Sequence, residues 1–119
     1  MNILIVEDNP QMRRMIRGLV APFAGEIFEC DCGGEAVSIY QKHLPDWVLM
    51  DICLTESDGI EATARIRVFD AQANILILTN YNDKNLRTAA KRAGAADYLV
   101  KDDLHKLSAI LAAQAVSIA

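Results

Sequence analysis

Pro45-Asp46-Trp47-Val48-Leu49-Met50-Asp51 is the stretch that decides the fold. Its centre, Trp47 to Met50, is apolar at every position rather than at alternate ones. A strand with one face in water alternates, while a strand covered on both faces does not, and double covering is the habit of parallel sheets. The run stops on a carboxylate, Asp51. Three other runs stop on polar groups: Ile3-Leu4-Ile5-Val6 on Glu7 and Asp8, Ile75-Leu76-Ile77-Leu78 on the Thr79 hydroxyl, and Tyr98-Leu99-Val100 on Lys101. A further run, Ile27-Phe28-Glu29-Cys30, mixes polar and apolar residues and reads as an edge strand.

Helical periodicity fills the intervals. Pro10 suits a first turn, and Met12, Met15, Ile16, Leu19 and Val20 then form an apolar stripe. A second helix runs from about Gly34 to Lys42 and buries Ala36, Val37 and Tyr40. A third follows Asp58-Gly59 and buries Ala62, Ile66 and Phe69. Asp83 caps a fourth, which turns Leu86, Ala89, Ala90 and Ala93 inward, and Gly94 stands where a left-handed stop is wanted. The last starts near Asp102 or Asp103, with Leu104, Leu107, Leu111 and Ile118 on one side. Alternating strands and helices give an α/β fold, a (βα)5 doubly wound five-stranded parallel sheet. In such sheets ligands bind at the carboxyl ends of the strands, near the point where strand order reverses. The acids, the threonine and the lysine all stand at those ends.

Composition bounds the function. The chain has 119 residues, which predicts a single domain over 1–119 with no output domain, and 52% are hydrophobic, enough for a core without staples. A net charge of -4 with mixed signs argues against a nucleic-acid surface, and Arg87, Lys91 and Arg92 read as a solvated helix face. Cys30 and Cys32 fall two apart in one expected strand, about 7 Å from each other, too far for an unstrained disulfide. With Cys53 they read as reduced thiols of a cytoplasmic protein. No signal peptide and no stretch near the ~20 apolar residues of a membrane span is visible.

The polar ends suggest one shared site. Carboxylates gathered in a cleft repel one another, at about 4 Å and an effective dielectric of about 20 by on the order of 4 kcal/mol per pair. The cluster therefore calls for a cation. Hard oxygen donors suit Mg²⁺, with Mn²⁺ a substitute, and Lys101 adds a second positive charge. The same set suits phosphoryl transfer: Asp51 as nucleophile, the metal and Lys101 against the charge of the transferring group, and Thr79 as a donor to a phosphoryl oxygen.

On these residues the sequence resembles the bacterial response-regulator receiver domain, the CheY-like phosphoacceptor of two-component signalling. Ile3-Leu4-Ile5-Val6-Glu7-Asp8-Asn9, Pro45 to Asp51, Asp58-Gly59-Ile60-Glu61-Ala62, Ile77-Leu78-Thr79 and Tyr98-Leu99-Val100-Lys101 carry the likeness, which covers essentially the whole chain. The resemblance implies a sheet order of 2-1-3-4-5. It implies that Asp51 accepts a phosphoryl group from the histidine of a sensor kinase or phosphotransfer protein, and that the chain is not otherwise an enzyme. It implies Mg²⁺ on Glu7, Asp8, Asp51 and the backbone carbonyl of Cys53, with Thr79 and Lys101 on the phosphoryl oxygens. Thr79 and Tyr98 would then form the switch, the aromatic ring following the hydroxyl inward. The surface of the fourth helix, fifth strand and fifth helix would change, for a homodimer or a downstream protein, with no direct contact to nucleic acid or membrane. Departures are Thr55, where the family often has proline; Asn80, where it often has a small residue; and Asp102, where it usually has a proline behind a cis bond. Thr55 and Asn80 are therefore candidate modulators.

Other readings are weaker on named residues. An aspartate-nucleophile phosphatase of the haloacid-dehalogenase type wants a second aspartate two residues after the first, where Cys53 stands. A flavodoxin-like cofactor binder wants Ser, Thr and Gly after the first strand, where Glu7-Asp8-Asn9-Pro10 stands. A pseudo-receiver, a pure interaction module, stays open through Asn80 and Thr55. His43 and His105 lie at no strand end, and His43 reads as a surface or capping residue.

Overall fold

The computed structural model describes residues 1–52 and 58–118, with the backbone alone for residue 58 and residues 114–118. The strands are β1 (Ile3–Val6), β2 (Ile27–Cys30), β3 (Trp47–Asp51), β4 (Ile75–Thr79) and β5 (Asp97–Val100). The helices are α1 (Pro10–Val20), α2 (Gly33–His43), α3 (Asp58–Phe69), α4 (Lys84–Ala93) and α5 (Leu107–Ile118). All strand pairs are parallel, and the order is β2-β1-β3-β4-β5.

The absence of alternation in the central strands now has its cause. Leu4, Val6, Val48, Met50, Ile75 and Ile77 face one layer, where they meet Ala36, Val37 and Tyr40 of α2, Ala62 and Ile66 of α3, and Ala90 of α4. The alternate residues Ile3, Ile5, Trp47, Leu49, Leu76 and Leu78 face the other, against Ile16 and Val20 of α1 and Leu107 and Leu111 of α5. Each fully buried aliphatic side chain contributes about 1.5–3 kcal/mol relative to exposure, so the two layers dominate stability. Trp47 is buried with them, and among the described residues its indole N–H has no hydrogen-bond partner.

Local chemistry sets the helix ends. The Asn9 side chain accepts from the Gln11 and Met12 N–H groups, with Pro10 in the first turn of α1. Asp83 does the same for Asn85 and Leu86 at α4, which stops at Gly94 in the left-handed region, φ 102°. Among the described residues no helix is long and apolar enough to cross a membrane.

Several expectations are corrected. Met15 and Leu19 are exposed, because the buried stripe of α1 is the narrower Met12, Ile16, Val20 series and its neighbours one position back fall on the flank. Phe69 is half exposed: it ends α3 and meets Tyr40 edge-on, ring centroids 6.4 Å apart, rather than entering the core. Ala89 and Ala93 are only partly buried. Cys30 ends β2 while Cys32 is the N-cap of α2, so the two do not share a strand; both are free thiols, and burial pushes Cys30 up to about 12. The last helix begins as a 3-10 turn, Lys101–Lys106, before α5. His43, by contrast, is exposed at the end of α2 as expected of a surface residue, and it stacks on Phe28, centroids 4.3 Å apart. The side chain of Ile118 lies outside the described residues.

Candidate functional site

Parallel strands bring all their carboxyl ends to one rim. Strand order reverses between β1 and β3, since β1 has β2 on one side and β3 on the other. Glu7 and Asp8 leave the first of these strands and Asp51 ends the second, so the crevice expected at the switch point is lined by acids. Glu7, Asp8 and Asp51 each offer a carboxylate oxygen within 4.8 Å of the others. They form a gradient from inside to outside: Glu7 buried, Asp51 partly buried, Asp8 exposed.

Lys101 reaches this group from the end of β5. Its ammonium lies 2.7 Å from Glu7 Oε1 and 2.9 Å from Asp51 Oδ1. Glu7 is fixed further by the Asn9 N–H, which donates to Oε2, and by Arg13, which donates to its backbone carbonyl. Burial holds the Glu7 carboxyl above its ordinary range, and the Asp51 charge adds to this, against the hydrogen bonds from Lys101 and the Asn9 N–H. Burial works to lower Lys101, but its hydrogen bonds to Glu7 and Asp51 outweigh that and raise it. Lys101 is therefore held as an ammonium, while the crowding falls on the acids. Three carboxylates gather here, with the Lys101 ammonium on two of them. Hard oxygen donors of this kind fit a divalent cation such as Mg²⁺.

Gly59 sets how closely α3 approaches the rim. A Cβ there would stand 2.5 Å from the Asp51 carbonyl oxygen and 3.2 Å from Ile52 Cα, so only glycine lets the helix start against the end of β3. The sequence marked this residue only as part of an Asp-Gly pair.

Thr79 is fully buried at the end of β4, one residue beyond Leu78, which pairs with Asp51. Its Oγ1 accepts from the Tyr81 N–H at 3.2 Å. Tyr98 in β5 is buried, and its hydroxyl donates to the Tyr81 carbonyl at 2.7 Å. Asn80 is exposed beside Thr79. The Lys101–Asp102 bond is trans. Cys53 and Thr55 lie outside the described residues. Arg87 is not merely a solvated cation: its guanidinium carbon lies 4.5 Å from the centre of the Tyr98 ring. No sequence spacing pairs those two residues, which come from different elements.

The sheet order and the acid-lined switch point define a CheY-like domain of the flavodoxin-like type. Residues 3–112 match the family model of the response regulator receiver domain. The chain is 40% identical to chemotaxis protein CheY of Bacillus subtilis, covering 83% of each. It is 37% identical to regulatory protein AtoC of Escherichia coli over 92% of this chain and 24% of that one. Its structure superposes with a TM-score of 0.81 on a LuxR-family two-component response regulator from Aurantimonas sp. SI85-9A1, at 35% identity, covering 94% of this chain and 85% of the other. The chain belongs to the response-regulator receiver family, a family of signalling domains of two-component systems.

Proposed function

We propose that this receiver is a working phosphoacceptor, with Asp51 as the accepting residue. The observation that carries the reading is the position of the Asp51 carboxylate: partly open to solvent, at the strand-order reversal, with the Lys101 ammonium on one oxygen and two further acids beside it. In the reaction an Asp51 oxygen attacks phosphorus, the P–N bond of a phosphohistidine breaks, and the imidazole leaves with that electron pair. The donor is a sensor histidine kinase or a phosphotransfer protein.

Each side chain has a task. Glu7, Asp8 and Asp51 would hold Mg²⁺, with Mn²⁺ as a substitute, which supplies positive charge against the oxygens of the transferring group. Lys101 already sits on Asp51, so its charge is in place before transfer and costs little reorganisation. Thr79 spends a lone pair on Tyr81, which leaves its O–H proton to donate to a phosphoryl oxygen. Doing so draws Thr79 away from Tyr81, whose carbonyl holds Tyr98. The acyl phosphate thereby biases the surface formed by α4, β5 and α5, where a second copy or a downstream protein would read it.

The test is labelling with acetyl phosphate and Mg²⁺, with the modified residue mapped by mass spectrometry. A base-labile adduct on Asp51, absent without Mg²⁺ and reduced to background in a folded Asp51→Asn variant, is expected. An adduct that persists in Asp51→Asn moves the acceptor elsewhere. No adduct in the wild type favours an interaction module that works without phosphate.

A further inference from the structure

Glu7 and Asp8 share one peptide unit, and that unit lies where the sheet ladder gives out. The Glu7 N–H still donates to the Cys30 carbonyl at 3.0 Å, but β2 ends at Cys30. Arg13, at the start of α1, takes the place of the next strand donor: its Nη1 donates to the Glu7 carbonyl at 2.8 Å. The guanidinium is braced from behind. Its Nε lies 3.4 Å from Glu29 Oε1 on β2, and Arg17, one turn further along α1, pairs with the other oxygen of the same carboxylate. The planar fork of an arginine can meet a carboxylate and a carbonyl at once, and the second contact fixes the direction of the first.

The bond acts on the two acids unequally. The Glu7 carboxylate has anchors of its own, Lys101 on Oε1 and the Asn9 N–H on Oε2. Asp8 is the most exposed of the three acids. A planar peptide turns only about the bonds at its two ends, so fixing its carbonyl fixes the direction in which the Asp8 side chain leaves the chain. Arg13 touches no carboxylate of the cluster through these bonds; it holds the backbone from which two of them spring.

We infer that Arg13, braced by Glu29, is a positioning residue for divalent-cation binding: it locks the peptide that joins Glu7 to Asp8 and so sets how their carboxylates meet that of Asp51. The inference rests on the reading of those three acids as the ones that hold Mg²⁺. Its sign sets it apart from charge alone. A guanidinium beside a cation site repels the ion, so deleting it for its charge would tighten binding. Deleting it for its bond to the peptide loosens binding, by about tenfold if it counts as an outer partner of the ligands.

The experiment titrates the full chain with Mg²⁺ by calorimetry, after a urea midpoint in EDTA has shown that each variant is folded. Arg13→Met is expected to weaken Mg²⁺ about tenfold. Arg17→Met removes the same charge from the same Glu29 but no bond to Glu7, and should bind as the wild type does or slightly tighter. Glu29→Gln should give a smaller loss than Arg13→Met, and Arg13→Lys should recover part of it. In the metal-free protein the ¹³C resonance of the Glu7 carbonyl should move in Arg13→Met and stay in place in Arg17→Met. Wild-type or tighter affinity in Arg13→Met, an equal loss in Arg17→Met, or a Glu7 resonance that does not move would each overturn the inference. If Arg13→Met does not fold, Glu29→Gln and Arg13→Lys carry the comparison, and unchanged affinity in both overturns it. A wild type that binds no Mg²⁺ would instead remove the cation reading itself, and this inference with it.

Discussion

At the amino-terminal rim of the sheet, Asp46 accepts from the Asn2 N–H at 2.6 Å, and the Asn2 side chain accepts from the Glu26 N–H at 2.9 Å. Nearby, Asp70 takes the Tyr40 hydroxyl at 2.7 Å and the Gln72 N–H at 2.9 Å. At the carboxyl-terminal rim Glu7, Asp8 and Asp51 crowd within 4.8 Å of one another, and Lys101 bridges Glu7 and Asp51. The residue types overlap, but the electrostatics differ. Acids of the first rim are spread out, each bonded to neutral donors, and fasten loops to the sheet. Acids of the second repel one another, and a further cation would relieve them. The first arrangement serves stability; the second keeps binding energy in reserve.

Breaking the second rim should have the largest effect. Lys101→Met leaves Glu7 and Asp51 facing each other without their shared cation, and loss of one partner of a buried ion pair costs about 3 kcal/mol. Urea unfolding in EDTA should show that loss, and Mg²⁺ should recover more stability in the variant than in the wild type. An unchanged midpoint would mean that the ammonium does not hold the acids together.

Gly59→Ala tests the spacing that keeps this rim open. The new methyl group meets backbone at the end of β3, which cannot rotate aside as a side chain can. A destabilisation of about 1–3 kcal/mol is expected, together with slower labelling of Asp51 by acetyl phosphate. Wild-type stability and labelling would show that α3 retreats freely.

Tyr40→Phe sharpens the contrast from the other rim, with the smallest effect. The Tyr40 hydroxyl, and after it the Gln72 N–H, hold the Asp70 carboxyl below its ordinary 3.8. A depressed acid stabilises the fold above its unfolded value, and that contribution is lost as pH falls through the folded value. The variant should lose at most about 1 kcal/mol near neutral pH, and the difference should vanish well below pH 3.8. Mg²⁺ affinity by calorimetry should not change. A difference that persists in acid would show that Tyr40 acts through packing rather than through the carboxylate.

The strands and their polar ends were legible because a sheet covered on both faces writes unbroken apolar runs, and the residue that breaks each run is the one at the rim. The first turn at Pro10, the cap at Asp83 and the stop at Gly94 were legible for a similar reason: they are local. What the sequence hid depends on direction and distance. Met15 and Ile16 are equally apolar, yet one step along a helix turns a side chain from flank to core. Phe69 is the last residue of α3 and stays half exposed, its ring against Tyr40 of a neighbouring helix. Arg87 looked like any surface cation because its partner, Tyr98, belongs to another element. Thr79 and Tyr98 meet only through the Tyr81 backbone, to which each is hydrogen-bonded and which carries no side-chain signature.

Trp47 gives this protein an optical peculiarity. It is the sole tryptophan, buried at the start of β3 with an indole N–H that meets no hydrogen-bond acceptor among the described residues. Its emission should be blue-shifted in the folded chain and move sharply to the red on unfolding. Yet Asp51 lies four residues further along the strand, about 13 Å away at the usual rise. Intrinsic fluorescence will therefore follow denaturation well and ion binding poorly, and an optical readout of the acidic crevice needs a second indole built in beside it.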